Sequence, residues 1–311
     1  MVMDMDLNDI IRRIQLEGEI TSDEVLRADI IKQALYKRSN LIATGTQILS
    51  PKPWKTLDAK WSFPTEVDGE FPVPEGAIAA RSKPVEWVEW GGSMQMAEFR
   101  FMLTDFAKAR QQEQLTYTSM VKRGSEYFAE VEDSQILDAL YAGAGATPIT
   151  IAAGDEWDAA GVGTDPEANI SEAWNNILDQ SNVPLEEIKN VALIYPAKVD
   201  ATLRGLKLIG NIQQSLMKYI GDSYGFSFHP TRYYDEAGAT KLQDDALMVV
   251  KGDETGIHGV YDGQAIPLSE TWRVEGRGQE ILTKKLFFTK IQPESQTVAT
   301  SYRICKIANV I

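Results

Sequence analysis

Apolar residues recur at three- and four-residue spacing in several stretches, the pattern of helices with one buried face. Near the N-terminus the pattern predicts two short amphipathic helices, one over Leu7 to Leu16 and one after the capping box Thr21 to Glu24. The longest such stretch runs from Tyr117 to Tyr141 and predicts a helix about 37 Å long at 1.5 Å per residue. Gly124 within it favours a helix laid across a sheet over a coiled-coil seam.

The second half of the chain predicts further helices and most of the strands. Helices are predicted after the capping box Asn169 to Glu172, through Val199 and Leu203 to Gly205, and over 212–220. The stretch from Ala142 to Glu167 is predicted to be a loop with a short strand near Ile149 to Ile151. Alternating or continuous apolar runs predict strands at Glu98–Leu103, Ile188–Tyr195, Phe226–Phe228, Ala246–Val250, Ile257–Tyr261, Thr271–Val274, Leu286–Ile291 and Thr300–Ile307.

A proline- and tryptophan-rich segment separates the N-terminal helices from the rest. Between Ser50 and Gly92 there are six prolines and four tryptophans, a content that forbids helix and disfavours central strands. Asp68-Gly69 lies between Trp61–Phe63 and Phe71–Val73, which is a hairpin signal. A two-stranded ribbon of this kind is marginal in water by itself. Its aromatic residues therefore need a partner surface, which a neighbouring subunit would provide.

The order of predicted elements indicates an α+β fold. Helices dominate the first half and strands the last third, whereas a doubly wound parallel sheet requires strand and helix to alternate throughout. The chain has 311 residues with 43% hydrophobic content, which is enough to bury real cores.

Charge and cysteine content exclude several classes of protein. The chain has 31 Lys and Arg against 45 Asp and Glu, a net charge of −14, which excludes a protein that holds nucleic acid by bulk electrostatic attraction. The single cysteine, Cys305, allows no internal disulfide and no zinc pair, so we expect a reducing environment. The N-terminus has acids where a signal peptide needs bases, and no apolar run is long enough for a membrane span. We therefore expect a soluble protein that is not exported by the usual route.

The residues that could carry chemistry favour structural roles. His229 and His258 are the only histidines, and Cys305 has no histidine near it in sequence, so packing is favoured over a metal site or a reactive thiol. The acids from Asp155 to Asp158 are typical of a solvated loop face, with a carboxylate pair as the alternative. Gly143-Ala-Gly145 follows a helix instead of a strand, unlike a dinucleotide fingerprint. We predict no catalytic residue, cofactor or metal.

The order of parts resembles the major capsid proteins of tailed viruses, the Hong Kong 97-type fold that encapsulin nanocompartments share. Leu7 to Ser50 resembles the N-terminal arm, and Trp54 to Gly92 resembles the extended E-loop hairpin. The strand and helix from Phe99 to Gly143 are similar to the peripheral domain with its spine helix, and Ile170 to Leu206 is similar to the start of the axial domain. The resemblance implies an arm over 1–53, an E-loop over 54–97, a peripheral domain over 98–168, an axial domain over 169–284 and returning peripheral strands over 285–311.

The resemblance also implies a function. A member of this family would be a non-enzymatic shell protein that self-assembles through pentamers and hexamers into an icosahedral capsid around double-stranded DNA, without reading its sequence. Separate scaffold, portal and cement proteins would be its partners, and it would be found in a virion assembled in the host cytoplasm. The expected assembly contacts are Trp61, Phe63, Phe71, Trp87, Trp90 and Phe128.

Two alternatives remain open at the level of sequence. One is an encapsulin-type compartment that encloses a cargo enzyme, with the helices of residues 7–37 on the inner face. The other is an uncharacterised hydrolase with an Asp/Glu site.

Overall fold

A computed structural model describes the chain over residues 24–64, 87–104, 113–159, 165–181, 183, 190–209, 212–231, 244–263, 266, 268–274, 278–293 and 298–311. Its α-helices are α1 (Glu24–Ile42), α2 (Gly45–Ile48), α3 (Glu113–Ala142), α4 (Pro166–Gln180), α5 (Asp200–Arg204) and α6 (Leu216–Tyr224). A 3₁₀ turn, Ala197–Val199, precedes α5. Its strands are β1 (Pro51–Trp54), β2 (Asp58–Pro64), β3 (Trp87–Ser93), β4 (Gln95–Thr104), β5 (Ala144–Thr150), β6 (Val191–Pro196), β7 (Leu206–Ile209), β8 (Ile212–Ser215), β9 (Ser227–Thr231), β10 (Ala246–Val250), β11 (Gly256–Tyr261), β12 (Ser269–Val274), β13 (Gly278–Ile291) and β14 (Ser301–Ala308).

The first five-stranded sheet is built around the long strand β13. Its neighbours β4, β11 and β12 all run antiparallel to it, and β1 adds to β11 in parallel. The pairing with β4 continues from Gly278 opposite Thr104 to Phe287 opposite Gln95. Pro51 and Pro53 lie in β1 at the end of this strand order, a position where a missing backbone donor costs little.

The second sheet has the order β5-β14-β10-β6-β9 and is covered on both faces. In β6, Val191, Leu193 and Tyr195 face one core, formed with α4 and α6. The alternate residues Ala192 and Ile194 face the opposite core, formed with the end of α3. Burial on both faces explains why the sequence shows continuous apolar runs here instead of alternation.

The long helix α3 lies against both sheets, as the sequence predicted for a helix across a sheet. Val121 and Phe128 pack with Ile31 of α1 and with the first sheet. Ile136 and Leu140, two to three turns further on, pack against the second sheet. One continuous helix therefore holds the two sheets in a fixed relation.

Gly124 allows α3 to approach its neighbours closely. A Cβ added at this position would lie 2.7 Å from Cδ2 of Leu35 in α1 and 2.8 Å from the ring of Phe99 in β4. We expect Gly124→Ala to lower the free energy of unfolding by about 1–2 kcal/mol, because overpacking of about 1–3 kcal/mol outweighs the helix propensity that alanine adds. Urea denaturation measures this, with Ser134→Ala on the exposed side of the same helix as the control. Equal stability of the two variants would contradict the tight α1–α3–β4 contact.

Several predicted elements differ from the structure in type or position. The helix predicted over 212–220 is wrong in its first half, because Ile212–Ser215 pairs with Leu206–Ile209 as a hairpin. The helix begins only after Ser215, whose side chain accepts a hydrogen bond from the Lys218 amide. Likewise α4 begins after Asp165, which caps the Ala168 amide, and not at the predicted capping box. The predicted loop after α3 contains the seven-residue strand β5.

Each of the two sheets also contains strands from more than one of the predicted domains. Strands β11 and β12, from the predicted axial segment, belong to the first sheet, and β14, from the predicted returning strands, belongs to the second. The helix predicted over Leu7 to Leu16 lies outside the described residues. The division into peripheral and axial domains stays a prediction.

Candidate functional site

Strands β2 and β3 form the two-stranded antiparallel unit that we call the ribbon. Its register runs from Asp58 opposite Ser93 to Pro64 opposite Trp87, and Trp61 lies directly opposite Trp90. The predicted turn at Asp68-Gly69 and the predicted contact residue Phe71 lie outside the described residues. The segment that pairs with Trp61–Phe63 in the described structure is Val88–Trp90.

The base of the ribbon, the pair Trp61 and Trp90, packs on the subunit's own first sheet. The ring centroid of Trp61 lies 5.8 Å from that of Phe288 in β13, and Trp54 lies 5.6 Å from the same phenylalanine. Nζ of Lys290, two residues beyond Phe288, lies 5.8 Å from the ring of Trp90. These aromatic residues therefore have partners within the subunit and are only partly buried by them, and the contact of Trp61 and Trp90 with a neighbouring chain stays a prediction.

The other predicted contact residues occupy different surroundings. The backbones of Phe63 and Trp87 lie at the far end of β2 and the beginning of β3. Phe128 is fully buried and makes edge contacts with Tyr36, at 6.1 Å between centroids, and with Phe99. Our expectation for Phe128 is corrected, because a fully buried side chain has no surface to offer a neighbouring subunit.

A buried charged cluster, not predicted from the sequence, lies between α1, α3 and the first sheet. We define it as Glu132, Asp133, His258 and Lys285, all of them buried. Nζ of Lys285 lies 2.7 Å from Oε2 of Glu132, and Nε2 of His258 lies 3.5 Å from Oε1 of the same carboxylate. Burial raises the pKa of Glu132, but His258 and Lys285 outweigh it and hold the pKa below its usual value. Glu132 is therefore ionised between two basic side chains.

Lys285 attaches the end of α1 to this cluster. Its ammonium group donates hydrogen bonds to Oγ of Ser39 and Oδ1 of Asn40, each 3.0 Å away, in addition to Glu132. Three donors and three acceptors match, so the buried ammonium is fully satisfied. No basic residue lies in the last turn of α1, and Lys285 supplies a positive charge there from another strand.

Asp133 holds the corner between α1 and α2. Its carboxylate accepts hydrogen bonds from the amides of Thr44, at 3.0 Å, and Gly45, at 2.6 Å. A Cβ at Gly45 would lie 2.8 Å from Cβ of Ile136, so only glycine fits this close to α3. Burial raises the pKa of Asp133 to about 6, although the two amides oppose the shift.

The residues singled out as possible chemistry are structural in their surroundings. Nδ1 of His258 lies 2.9 Å from Oγ1 of Thr289 within the core, and burial lowers the pKa of His229 to about 4. Cys305 is buried, and burial raises its pKa to about 12, which disfavours the reactive thiolate. Glu156 accepts a hydrogen bond from the Gly154 amide in a turn.

Two other kinds of feature, a metal centre and a membrane-spanning helix, are absent from the described residues. No group of three or more His, Cys, Asp or Glu side chains there is arranged to hold a metal ion. No helix in the described ranges has the length and apolar character to cross a membrane.

Comparison with known proteins gives matches to structures only. No family model and no curated protein matches the chain. The crystal structure of a virus-like particle from Pyrococcus furiosus is 13% identical, with a TM-score of 0.58 over 89% of this chain and 97% of that one. The capsid of an empty GTA particle is 12% identical, with a TM-score of 0.54 over 86% of this chain and 90% of that one. This chain has a capsid-protein fold.

A third match adds support for the fold. A phage-related protein of Bordetella bronchiseptica is 9% identical, with a TM-score of 0.57 over 91% of this chain and 97% of that one. The capsid-protein fold thus accounts for nearly the whole length of the matched chains, and the resemblance noted in the sequence is confirmed at the level of fold.

Proposed function

We propose that this protein is a structural shell protein that self-assembles into a closed icosahedral capsid around viral double-stranded DNA. The observation that carries the proposal is the likeness of fold, along most of the chain, to a virus-like particle and to a GTA capsid. Pentamers and hexamers are the expected building units, because an icosahedral shell has pentamers at its fivefold vertices and a shell larger than the smallest form adds hexamers between them. The function needs no catalytic group, and we propose none.

We further propose that the chain is divided as Hong Kong 97-type subunits are. The ribbon and the residues between its strands would be the E-loop, α1 the end of the N-terminal arm, and α3 the spine helix. The ribbon base is anchored on β13 through Trp61 and Phe288. Such an anchor supports an E-loop role, because it fixes the ribbon base on the subunit's own first sheet.

The proposed contents are compatible with the charge of the chain, and the proposed partners are those that the family resemblance implies. At a net charge of −14, the wall of the shell would enclose DNA without gripping it. A scaffold, portal and cement proteins would be separate chains, and the protein would be found in the virion after assembly in the host cytoplasm.

An encapsulin-type compartment is the second candidate, because a protein shell of the same fold can enclose protein cargo instead of a genome. The match from Pyrococcus furiosus is a virus-like particle, whereas other matches are the capsid of a native GTA particle and a structure from Mycobacterium phage Bobi. The contents of native particles decide between the candidates. Nuclease-protected DNA or a portal complex indicates the virus, and a co-purifying enzyme indicates the compartment.

The test of shell formation is negative-stain electron microscopy of the expressed full-length chain, together with its mass in solution. We expect uniform closed particles and a mass of many subunits, because burial of large complementary surfaces favours the closed state. A chain that stays monomeric over a range of salt, pH and protein concentration, without particles on the grid, would contradict both shell functions. The hydrolase alternative would then gain support.

A further inference from the structure

The buried charged cluster holds more negative than positive charge when its groups have their usual charges at neutral pH. Glu132 and Asp133 are adjacent carboxylates on α3, and Lys285 is the one buried ammonium group that contacts either of them among the described residues. His258 adds a positive charge only when it is protonated. With a neutral imidazole the four groups carry a net charge of −1 in the interior. An uncompensated buried charge costs several kcal/mol, so the site favours binding a proton.

Within the described part of the chain, Asp133 is the member of the cluster that has no cationic partner. Its neighbours on the α1–α2 corner are the amides of Thr44 and Gly45, which are neutral. On its own helix Glu132 is the ionised side chain that acts on it, and this charge disfavours a second carboxylate. Lys285 of β13 and the imidazole of His258 of β11 both contact Glu132 instead of Asp133. Burial and the charge of Glu132 also raise the pKa of Tyr36 in α1, so this phenol is neutral.

The contacts of the cluster converge on the end of α1 and the corner that follows it. Lys285 binds Ser39 and Asn40 in the last turn, and Asp133 binds the amides of Thr44 and Gly45. Ser39 and Asn40 belong to α1, and Thr44 and Gly45 follow it directly. The protonation state of the cluster therefore affects how firmly α1 is held. A neutral Asp133 carboxyl accepts from the two amides more weakly than the carboxylate does, but it loses the charge that is costly to bury, and burial is the larger of these effects.

We propose that the buried charged cluster is a proton-operated clamp, in which uptake of one proton by Asp133 in mild acid tightens the attachment of α1 to α3 and the first sheet. The direction in which stability changes with pH follows from proton linkage. The pKa of Asp133 in the folded chain is raised to about 6, above its ordinary value of 3.8, so the folded chain binds the proton more tightly. This contribution to stability is fully present below the ordinary value and is lost as the pH rises through about 6.

The experiment measures amide hydrogen exchange of the peptide covering residues 31–42 in the full-length chain at pH 7.5 and 5.0, after correction for intrinsic exchange rates. Protection of this peptide should rise about tenfold at the lower pH, the factor that one proton-binding group with a pKa of about 6 contributes over this range. In Asp133→Asn, which is neutral at both values, this increase should disappear. The matched control is Asp138→Asn, the same change at an exposed position of α3, which should keep the increase.

Two results would overturn the clamp. One is an equal rise in protection in the wild type and in Asp133→Asn. The other comes from a measurement that needs no variant: carboxyl ¹³C titration of the wild-type chain, with Asp133 assigned through bonds. A midpoint above about 5 supports the clamp, and a midpoint in the ordinary range near 4 overturns it even if Asp133→Asn fails to fold. Neither measurement depends on shell formation, provided that the state of assembly is the same at both pH values.

Discussion

Replacing Lys285 by methionine is expected to lower the free energy of unfolding by about 3–5 kcal/mol, the typical cost of removing one partner from a buried ion pair. The substitution removes the ammonium group 2.7 Å from Glu132 and leaves the carboxylate in the core with His258 at 3.5 Å. It also removes the hydrogen bonds to Ser39 and Asn40, so α1 loses these two polar contacts with β13. Urea denaturation followed by circular dichroism measures the loss.

The neighbouring residue provides the matched control. Lys284 pairs with Glu270 on a more exposed face, at 2.8 Å, and its side chain is 16% exposed against 1% for Lys285. We expect Lys284→Met to cost less than about 1 kcal/mol, as for most exposed pairs. The double variant Glu132→Leu with Lys285→Met should recover much of the loss, because the carboxylate that Lys285 pairs with is removed together with the ammonium group. Equal losses for the two single lysine variants would contradict the role of the buried pair.

Shortening the ribbon beyond its base should abolish closed shells while the subunit stays folded. Ser62 and Glu89 are opposite each other in the antiparallel register, so an Asn-Gly turn can join them directly in place of residues 63–88. This variant keeps Trp61 and Trp90, and therefore keeps their contacts with Phe288 and Lys290. We expect its thermal midpoint to stay within about 5 °C of the wild type. Electron microscopy should show no closed particles.

A second variant distinguishes a requirement for the length of the removed segment from a requirement for its side chains. In it, a Gly/Ser linker of equal length replaces residues 65–86. Strands β2 and β3 and the number of residues between them are therefore unchanged. Loss of shells in both variants assigns the assembly contact to the side chains of this segment. Normal shells from the shortened variant would refute the E-loop assignment.

The elements with strong local patterns were predictable from sequence. The predicted helix from Tyr117 to Tyr141 is confirmed as α3, and the strand near Phe99 to Leu103 is confirmed as β4. Ala246–Val250 was predicted with the exact bounds that β10 has. In each case burial of one or both faces of the element imposes a regular spacing of apolar residues. This spacing is visible within a short stretch of sequence.

The failures come from pairing and capping that local pattern does not encode. Ile212 to Ile220 has apolar spacing compatible with a helix, yet its first four residues pair with Leu206–Ile209 and the side chain of Ser215 starts the helix later. The local pattern likewise did not predict that β13 and β14 belong to different sheets. Sheet pairing joins residues far apart in the chain, so no window of sequence contains both partners.

The buried charged cluster shows this limit most clearly. Glu132 and Lys285 are 153 residues apart, and each lies in an amphipathic pattern where a charge is ordinarily read as exposed. Only tertiary packing brings α1, α3, β11 and β13 around them and makes a buried carboxylate pair next to one ammonium group.

The sequence by itself determined the α+β class, the order of arm, ribbon, long helix and terminal strands, and through that order the resemblance to capsid proteins. These follow from local periodicity, from proline content and from the order of elements along the chain. The tertiary structure alone decided that the ribbon base packs on its own sheet, that Phe128 is a core residue, and that Asp133 holds the end of α1. These depend on contacts between distant segments, whose free energy is set by burial in three dimensions and leaves no trace in local pattern.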